Sequence, residues 1–127
     1  MSARILLVED NAANRYLETF LLESHHFTVL HAVNGNEALA MAREHRPDLI
    51  LMDIQMPEMD GYEAAGLIRD DPELGGIPIV AVTSYAMSGD REKALRLGFV
   101  GYIEKPIATE RFVHQIKEFL VKKAGVV

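Results

Sequence analysis

The chain has 127 residues, a formal net charge of −6 and no cysteine, so its length favours one domain, and disulfides and thiolate metal sites are excluded. The acidic balance argues against direct binding to nucleic acid, and a chain without cysteine fits the cytoplasm. No apolar run approaches the roughly 20 residues of a membrane span, and no signal peptide precedes the first apolar run, so we expect no membrane partner.

Short aliphatic runs alternate with longer segments of helical period along the chain. Five such units predict an α/β fold, a doubly wound parallel sheet of five strands with five helices. Three of the predicted strands (the first, third and fourth) are almost entirely apolar, as in strands covered on both faces, whereas the mixed second strand suits an edge. The predicted elements, in chain order, are β1 at Arg4–Val8, α1 at Ala12–Ser24, β2 at Thr28–Ala32, α2 at Asn36–Glu44, β3 at Pro47–Asp53, α3 at Tyr62–Arg69, β4 at Ile77–Val82, α4 at Gly89–Arg96, β5 at Gly101–Glu104 and α5 at Thr109–Lys122.

Polar side chains stand at the carboxyl ends of four of these strands. In an open parallel sheet, ligands bind in the crevice beyond those ends. Three carboxylates that converge there favour a cation, whereas a lysine and a hydroxyl beside them favour an anion. The sequence therefore predicts a divalent metal together with a phosphoryl group. The residues concerned are Glu9 and Asp10 after β1, Asp53 at the end of β3, Thr83 after β4 and Lys105 after β5.

Asp53 is the main candidate, as a carboxylate nucleophile that takes a phosphoryl group. The alternative is an acid that caps the following turn, and Asp10 or Asn11 likewise suits the N-cap of α1. Mg²⁺ is the expected ion, because it prefers oxygen ligands. Asp10 and Asp53 would supply two of these, and a main-chain carbonyl near Gln55 a third. Without His or Cys at these strand ends, zinc and copper are not expected.

The remaining candidates each have a structural alternative. Lys105 would pair with a phosphoryl oxygen or with Asp53, but a lysine at a strand end is also simply solvated. Its bond to Pro106 is open to either the cis or the trans form. Thr83 would donate its hydroxyl to the phosphoryl group, or serve only as a β-branched strand residue, and Tyr102 fits a purely packed position.

Four segments carry a resemblance to a known family: Val-Glu-Asp-Asn at 8–11, Leu-Met-Asp-Ile-Gln-Met-Pro-Glu-Met-Asp-Gly at 51–61, Ala-Val-Thr-Ser at 81–84 and Tyr-Ile-Glu-Lys-Pro at 102–106. In this order they resemble the receiver domain of two-component response regulators. The resemblance covers essentially the whole chain, and the loop at 53–61 is highly specific. It implies a flavodoxin-like (CheY-like) fold with the strand order 2-1-3-4-5.

The resemblance also implies roles for individual residues. Asp53 matches the phosphoacceptor, and Thr83 and Lys105 match the phosphoryl-binding hydroxyl and lysine. The implied metal site for Mg²⁺ consists of Asp53 with Glu9, Asp10 and the main-chain oxygen of Gln55. Tyr102 matches the aromatic residue that changes rotamer when Thr83 moves towards the phosphate. The implied donor is a histidine kinase or a histidine phosphotransfer protein, and the α4–β5–α5 face would then bind a downstream protein target.

The chain departs from the family pattern in places. His26 stands where the family often has Gly, and Gly66 lies inside α3, where it costs about 1 kcal/mol against Ala. We expect one receiver domain over residues 1–127, with 123–127 as a tail, similar to single-domain receivers of the DivK type. The alternative is a receiver domain excised from a hybrid histidine kinase or a longer response regulator.

Two rival functions share parts of the pattern. An FMN-binding flavodoxin-like module would need a phosphate loop rich in Ser, Thr and Gly after β1, where this chain has Glu9-Asp10-Asn11-Ala12-Ala13. A phosphatase with an aspartate nucleophile usually has a second acid two residues later. Here that residue is Gln55, which cannot transfer a proton. We therefore expect no enzyme activity beyond self-phosphorylation from phosphodonors and slow autodephosphorylation.

Helix α1 offers two apolar patterns. Ala13, Leu17 and Leu21 follow the i, i+4 spacing of a buried stripe. Tyr16 and Phe20 form a second i, i+4 pair one position around the helix. They either widen the buried stripe or form an exposed apolar patch, which tends to mark a protein interface. In the family that the chain resembles, phosphotransfer partners dock at α1, which makes Tyr16 and Phe20 candidate partner-docking residues.

Overall fold

A computed structural model describes residues 3–55, 59–84 and 89–123. Within these ranges, five strands alternate with five helices, as the sequence predicts. Every predicted element is present, and every boundary agrees to within two residues. The observed elements are β1 Arg4–Val8, α1 Ala12–Ser24, β2 Thr28–Ala32, α2 Gly35–His45, β3 Leu49–Asp53, α3 Gly61–Asp70, β4 Ile79–Thr83, α4 Asp90–Arg96, β5 Gly101–Glu104 and α5 Thr109–Lys123.

The strands form one parallel sheet in the order β2-β1-β3-β4-β5, which confirms the order implied by the resemblance. Every residue of β3 and β4 is buried, whereas β2 at one edge mixes exposed and half-buried residues. The chain order reverses direction between β1 and β3, so the crevice beyond the carboxyl ends of these two strands is the expected ligand site.

Successive side chains of each central strand point to opposite faces of the sheet. One face packs against α2 and α3, through residues such as Ala38, Ala42, Ala64 and Ile68. The other face packs against α1 and α5, through Leu22, Phe112 and Ile116. Because both faces are covered, the central strands need the continuous apolar runs from which they were predicted.

The buried stripe predicted for α1 is wrong. Ala13 and Leu17 are exposed and Leu21 is half-buried, whereas the residues buried on this helix are Glu18 and Leu22. The helix is rotated by one residue from the predicted orientation. An acid can occupy the inward stripe because burial raises the pKa of Glu18 to about 8, so its carboxyl is largely protonated and uncharged at neutral pH.

Two strands begin later than predicted because of proline and turn chemistry. β3 begins at Leu49, two residues after Pro47, which has no N–H to donate to the sheet. Before β4, the N–H of Ile77 donates to the carbonyl of Leu74 at 3.0 Å, so Ile77 belongs to the preceding turn. At the other end of the chain, α5 extends to Lys123, one residue into the predicted tail.

Two backbone features concern expectations from the sequence. His26 has φ 71°, in the left-handed region where glycine is the usual residue, which explains the family preference at this turn. The Lys105–Pro106 bond is cis, one of the two forms left open.

Residues 56–58 of the specific loop lie outside the described residues. Among the described helices, none combines the length and apolar character required to cross a membrane.

Candidate functional site

The polar residues predicted at the strand ends meet at one edge of the sheet. Hydrogen bonds in the pattern of the sheet continue past the strands: the N–H of Glu9 donates to the carbonyl of Ala32 at 3.0 Å, and that of Lys105 to the carbonyl of Thr83 at 2.8 Å. These bonds keep Glu9 and Lys105 in line with the strands that precede them. Glu9, Asp53 and Thr83 are buried, whereas Asp10 is exposed at the rim.

Three carboxylates form the acidic part of this edge. Glu9, Asp10 and Asp53 each offer one oxygen, and these oxygens lie within 4.8 Å of one another. Hard oxygen ligands at this spacing suit Mg²⁺, which usually retains several waters beside one or two carboxylates.

The N-cap of α1 is Asn11, whose side chain accepts from the N–H of Asn14 at 2.9 Å. Asp10 is therefore not the N-cap.

Lys105 is half-buried and contacts two members of the acidic cluster. Its Nζ is 2.5 Å from Glu9 Oε1 and 3.7 Å from Asp53 Oδ2, so Glu9 is the closer partner. Burial alone would lower the pKa of Lys105, but the hydrogen bond to Glu9 and the charge of Asp53 raise it above its usual range. The ammonium group thus stays charged at neutral pH, within reach of the space beside Asp53.

The carboxyl of Asp53 holds its proton more tightly than an ordinary aspartate. Burial, followed by a hydrogen bond with Glu9 and the charge of Glu9, raises its pKa to about 7. Two contacts lower this pKa in part. They are the positive charge of Lys105 and the N–H of Gln55, which donates to Asp53 Oδ1 at 3.2 Å. One lysine does not balance two buried carboxylates, so a bound cation would favour the ionised form of Asp53.

Gln55 connects Asp53 with Thr83. In addition to its main-chain contact, its side-chain Oε1 accepts a hydrogen bond from Thr83 Oγ1 at 2.8 Å. The sequence predicted a role for the main-chain oxygen of Gln55, but it contained no signal for this side-chain contact. Whether a side chain in a loop points towards a neighbouring strand depends on the fold of that loop.

Tyr102 lies on the same face of the sheet as Thr83. The two residues are on adjacent strands, since Ala81 pairs with Tyr102 and Thr83 with Glu104. Tyr102 is 8% exposed, and its hydroxyl has no hydrogen-bond partner among the described residues. The guanidinium of Arg91 lies 5.9 Å from the centre of the ring. The aromatic ring is thus already buried while the Thr83 hydroxyl is bound to Gln55.

Glu18 is the site neighbour that the sequence analysis missed. It is 2% exposed, and its Oε1 has no hydrogen-bond partner among the described residues. Burial, followed by the charge of Glu9, raises its pKa to about 8, although Lys105 lowers it in part. The sequence did contain one signal for its burial, because Glu18 stands four residues before Leu22 and so lies on the same face of α1. A search for apolar residues at this spacing does not find the pair, since Glu18 is an acid.

Tyr16 and Phe20 form an exposed pair beside the site. Their side chains are 75% and 59% exposed, so the wide buried stripe is wrong and the exposed patch is confirmed. The guanidinium of Arg15 donates to the main-chain oxygen of Glu9 at 2.9 Å, which attaches this part of α1 to the end of β1. The pair follows Arg15 on α1, the helix that begins directly after the acidic residues at the end of β1.

Comparison with known proteins identifies similar chains. The polar-differentiation response regulator DivK of Brucella anthropi is 48% identical over 120 residues, covering 94% of this chain and 98% of that protein. DivK of Brucella ovis is 46% identical over 120 residues, which again cover 94% of this chain and 98% of that protein.

Solved structures of receiver domains are also similar to this chain. The receiver domain of a sensor histidine kinase from Pseudomonas aeruginosa, with a magnesium ion coordinated in its active site cleft, is 34% identical. Its TM-score is 0.83, over 98% of this chain and 99% of that chain. A receiver domain of a histidine kinase from Syntrophus aciditrophicus is 31% identical, with a TM-score of 0.86, over 95% and 92% of the two chains.

The family model of the response regulator receiver domain matches residues 5–117. That range contains β1 from its second residue, the other four strands in full and every site residue described above. The chain therefore belongs to the response regulator receiver domain family and is a phosphorylation-activated signalling switch of the DivK type.

Proposed function

We propose that Asp53 is the residue that accepts the phosphoryl group, from a phosphohistidine of a histidine kinase or a histidine phosphotransfer protein. In this step the bond between phosphorus and the imidazole nitrogen breaks, and a bond between phosphorus and an Asp53 carboxylate oxygen forms. The electron pair of the broken bond stays on the nitrogen, which then takes a proton. The observation that carries the proposal is the position of buried Asp53 between two acids and Lys105.

The surrounding residues are suited to the other parts of this reaction. Glu9, Asp10, Asp53 and the main-chain oxygen of Gln55 would hold Mg²⁺, which would neutralise charge on the incoming phosphoryl group. Lys105 would pair with one phosphoryl oxygen, and Thr83 would donate its hydroxyl to another. The magnesium ion in the receiver domain from Pseudomonas aeruginosa supports the assignment of the metal.

Labelling by a small phosphodonor tests the assignment of Asp53. The protein is incubated with acetyl phosphate and Mg²⁺, and the modified residue is mapped by mass spectrometry. We expect the label on Asp53, no label in Asp53→Asn, and undiminished labelling in Asp71→Asn, at the C-cap of α3. Label that persists in Asp53→Asn would show that another residue is the acceptor.

The exposed pair on α1 is the proposed docking surface for the phosphodonor protein. It is apolar and exposed, it lies on the helix that begins directly after the acidic residues of β1, and Arg15 attaches that helix to Glu9. Tyr16→Ala with Phe20→Ala should slow phosphotransfer from the partner protein but leave labelling by acetyl phosphate unchanged.

Leu67→Ala provides a matched control for the docking proposal, because Leu67 is a 45% exposed apolar residue on a different helix. We expect it to leave both reactions unchanged. If the double variant loses several kcal/mol of stability, as truncations in a core do, or transfers phosphoryl at the wild-type rate, Tyr16 and Phe20 are not docking residues.

The downstream target would bind the α4–β5–α5 face. A cavity of about 400 Å³ between these elements is lined by both Lys105 and Tyr102, so a change at the phosphoryl site has a short route to this face. We also propose that residues 1–127 form one receiver domain, since they cover 98% of the DivK relative from Brucella anthropi. A reading frame that continues into a kinase domain would favour the hybrid-kinase alternative.

The proposal includes no turnover of external substrates. A phosphatase with the same nucleophile would hydrolyse an added phosphate ester repeatedly, whereas a receiver accepts one phosphoryl group and loses it slowly. Incubation with p-nitrophenyl phosphate and Mg²⁺ distinguishes the two. Sustained release of the phenol that disappears in Asp53→Asn would contradict the assignment as a receiver without enzyme activity.

A further inference from the structure

The hydroxyl of Thr83 has a partner in the structure before any phosphoryl group is bound. A threonine hydroxyl carries one proton and therefore donates one hydrogen bond at a time. Here Thr83 Oγ1 donates to Gln55 Oε1 at 2.8 Å, and Thr83 is 2% exposed. Before the hydroxyl donates to a phosphoryl oxygen on Asp53, its bond to Gln55 must break.

Gln55 contacts both residues involved in this exchange. Its main-chain N–H donates to Asp53 Oδ1 at 3.2 Å, while its side-chain oxygen accepts from Thr83. The residue is half-buried, so water does not freely replace the lost contact, and an unpaired amide oxygen costs free energy. The resting arrangement of Thr83 is thus stabilised by a side chain next to the phosphoacceptor.

We propose that the Gln55 side chain is a positioning residue that holds Thr83 in the resting arrangement and competes with the phosphoryl group for its hydroxyl. The inference rests on the proposed function of Asp53 and Thr83. A group that binds one of two arrangements stabilises that arrangement by its differential affinity. The amide of Gln55 therefore sets how strongly the phosphoryl group must bind before the switch changes state.

Binding of beryllofluoride, a phosphoryl mimic, tests the competition. Gln55→Met keeps the length of the side chain and the main-chain oxygen proposed for Mg²⁺, but it removes the amide acceptor. With Mg²⁺ present, we expect beryllofluoride to bind about 2- to 12-fold more tightly to Gln55→Met than to wild type, the range that one ordinary hydrogen bond provides. Gln115→Met, at the other glutamine of the chain, should leave the affinity unchanged.

A double-mutant cycle separates the competition from other effects of the substitution. In a Thr83→Ala background no hydroxyl remains for Gln55 to hold, so Gln55→Met should no longer change the affinity. The Thr83 methyl resonance of metal-free Gln55→Met should also move towards its position in the beryllofluoride complex of wild type. In the variant this second readout is recorded without ligand, and it reports directly on Thr83.

Two results would overturn the inference. One is an unchanged or weaker beryllofluoride affinity in Gln55→Met, and the other is an equal tightening in both backgrounds. Failure of the proposed function is recognised separately, because wild type itself would then bind no beryllofluoride in the presence of Mg²⁺, and the inference would fall with it.

Discussion

Glu18 shows how the environment of one residue links the site to stability. Its carboxyl is buried, and burial raises its pKa from 4.5 to about 8. The folded protein thus retains a proton that the unfolded chain releases as the pH rises. The contribution of this group to stability is fully present below pH 4.5 and is lost as the pH rises towards 8.

The metal-free protein should therefore become less stable between about pH 5 and pH 8. We expect Glu18→Gln, which keeps the shape of the side chain without an ionisable group, to flatten this decline by on the order of 1–3 kcal/mol. Asp53, whose pKa burial raises to about 7, would cause the part of the decline that remains.

Unfolding by urea in EDTA at several pH values measures the effect. Glu23→Gln, at an exposed position on α1, is the control, and equal pH profiles in wild type and Glu18→Gln would contradict the prediction.

The charges around Asp53 lead to a prediction about metal binding. Buried Asp53 and Glu9 share one nearby lysine, so either a bound cation or the loss of one carboxylate relieves their repulsion. We expect millimolar Mg²⁺ to raise the melting temperature of wild type. Asp53→Asn should raise it without metal, by an amount equivalent to about 1–2 kcal/mol, and should respond less to Mg²⁺. A melting temperature of wild type that does not change with Mg²⁺ would count against the metal site.

The site residues differ in how far the sequence predicts them. Five of them are predictable because each ends a strand or closely follows one, and parallel strands bring their carboxyl ends to one edge. These five are Glu9, Asp10, Asp53, Thr83 and Lys105. Glu18 and the side chain of Gln55 are not predictable in this way. Their positions depend on the rotation of α1 and on the path of the loop after β3, which local patterns do not determine.

At the scale of single elements, Gly66 is a weak point of α3. A Cβ at this position would meet no atom within 4 Å, and glycine inside a helix costs about 1 kcal/mol against alanine. We expect Gly66→Ala to stabilise the protein by about 1 kcal/mol, or roughly 3–6 °C in melting temperature.

Gly98 provides the opposite case to Gly66. It has φ 97°, and a Cβ there would lie 2.7 Å from Arg69 Nη1, so Gly98→Ala should destabilise the protein. Thermal melts of both variants test the pair. A loss of stability in Gly66→Ala, or a gain in Gly98→Ala, would mean that local backbone propensity does not control stability at these positions.

Helix α1 shows where prediction of elements from sequence reaches its limit. Its ends, Ala12 and Ser24, agree with the prediction, because Asn11 supplies a clear N-cap. Its orientation does not, because the helix contains more than one apolar pattern with i, i+4 spacing. Leu22 of α1 lies in the same buried cluster as Phe112 of α5, so the rotation depends on packing with residues far away in sequence.

For the whole molecule, the number and order of the elements follow from their apolar runs. Strands covered on both faces need continuous apolar residues, and the long segments between them have helical period. The position of each strand in the sheet has a different origin. The order β2-β1-β3-β4-β5 was implied by the resemblance to receiver domains, since the runs alone do not distinguish one doubly wound order from another.

We propose that phosphorylation of Asp53 changes the α4–β5–α5 face. Amide NMR spectra of the whole chain, recorded with Mg²⁺ before and after addition of acetyl phosphate, test it most directly. We predict shifts around Asp53 and Thr83, together with shifts at Tyr102 and along α4 and α5, all of which are absent in Asp53→Asn. Shifts confined to the surroundings of Asp53, or shifts at the α4–β5–α5 face that persist in Asp53→Asn, would contradict the claim.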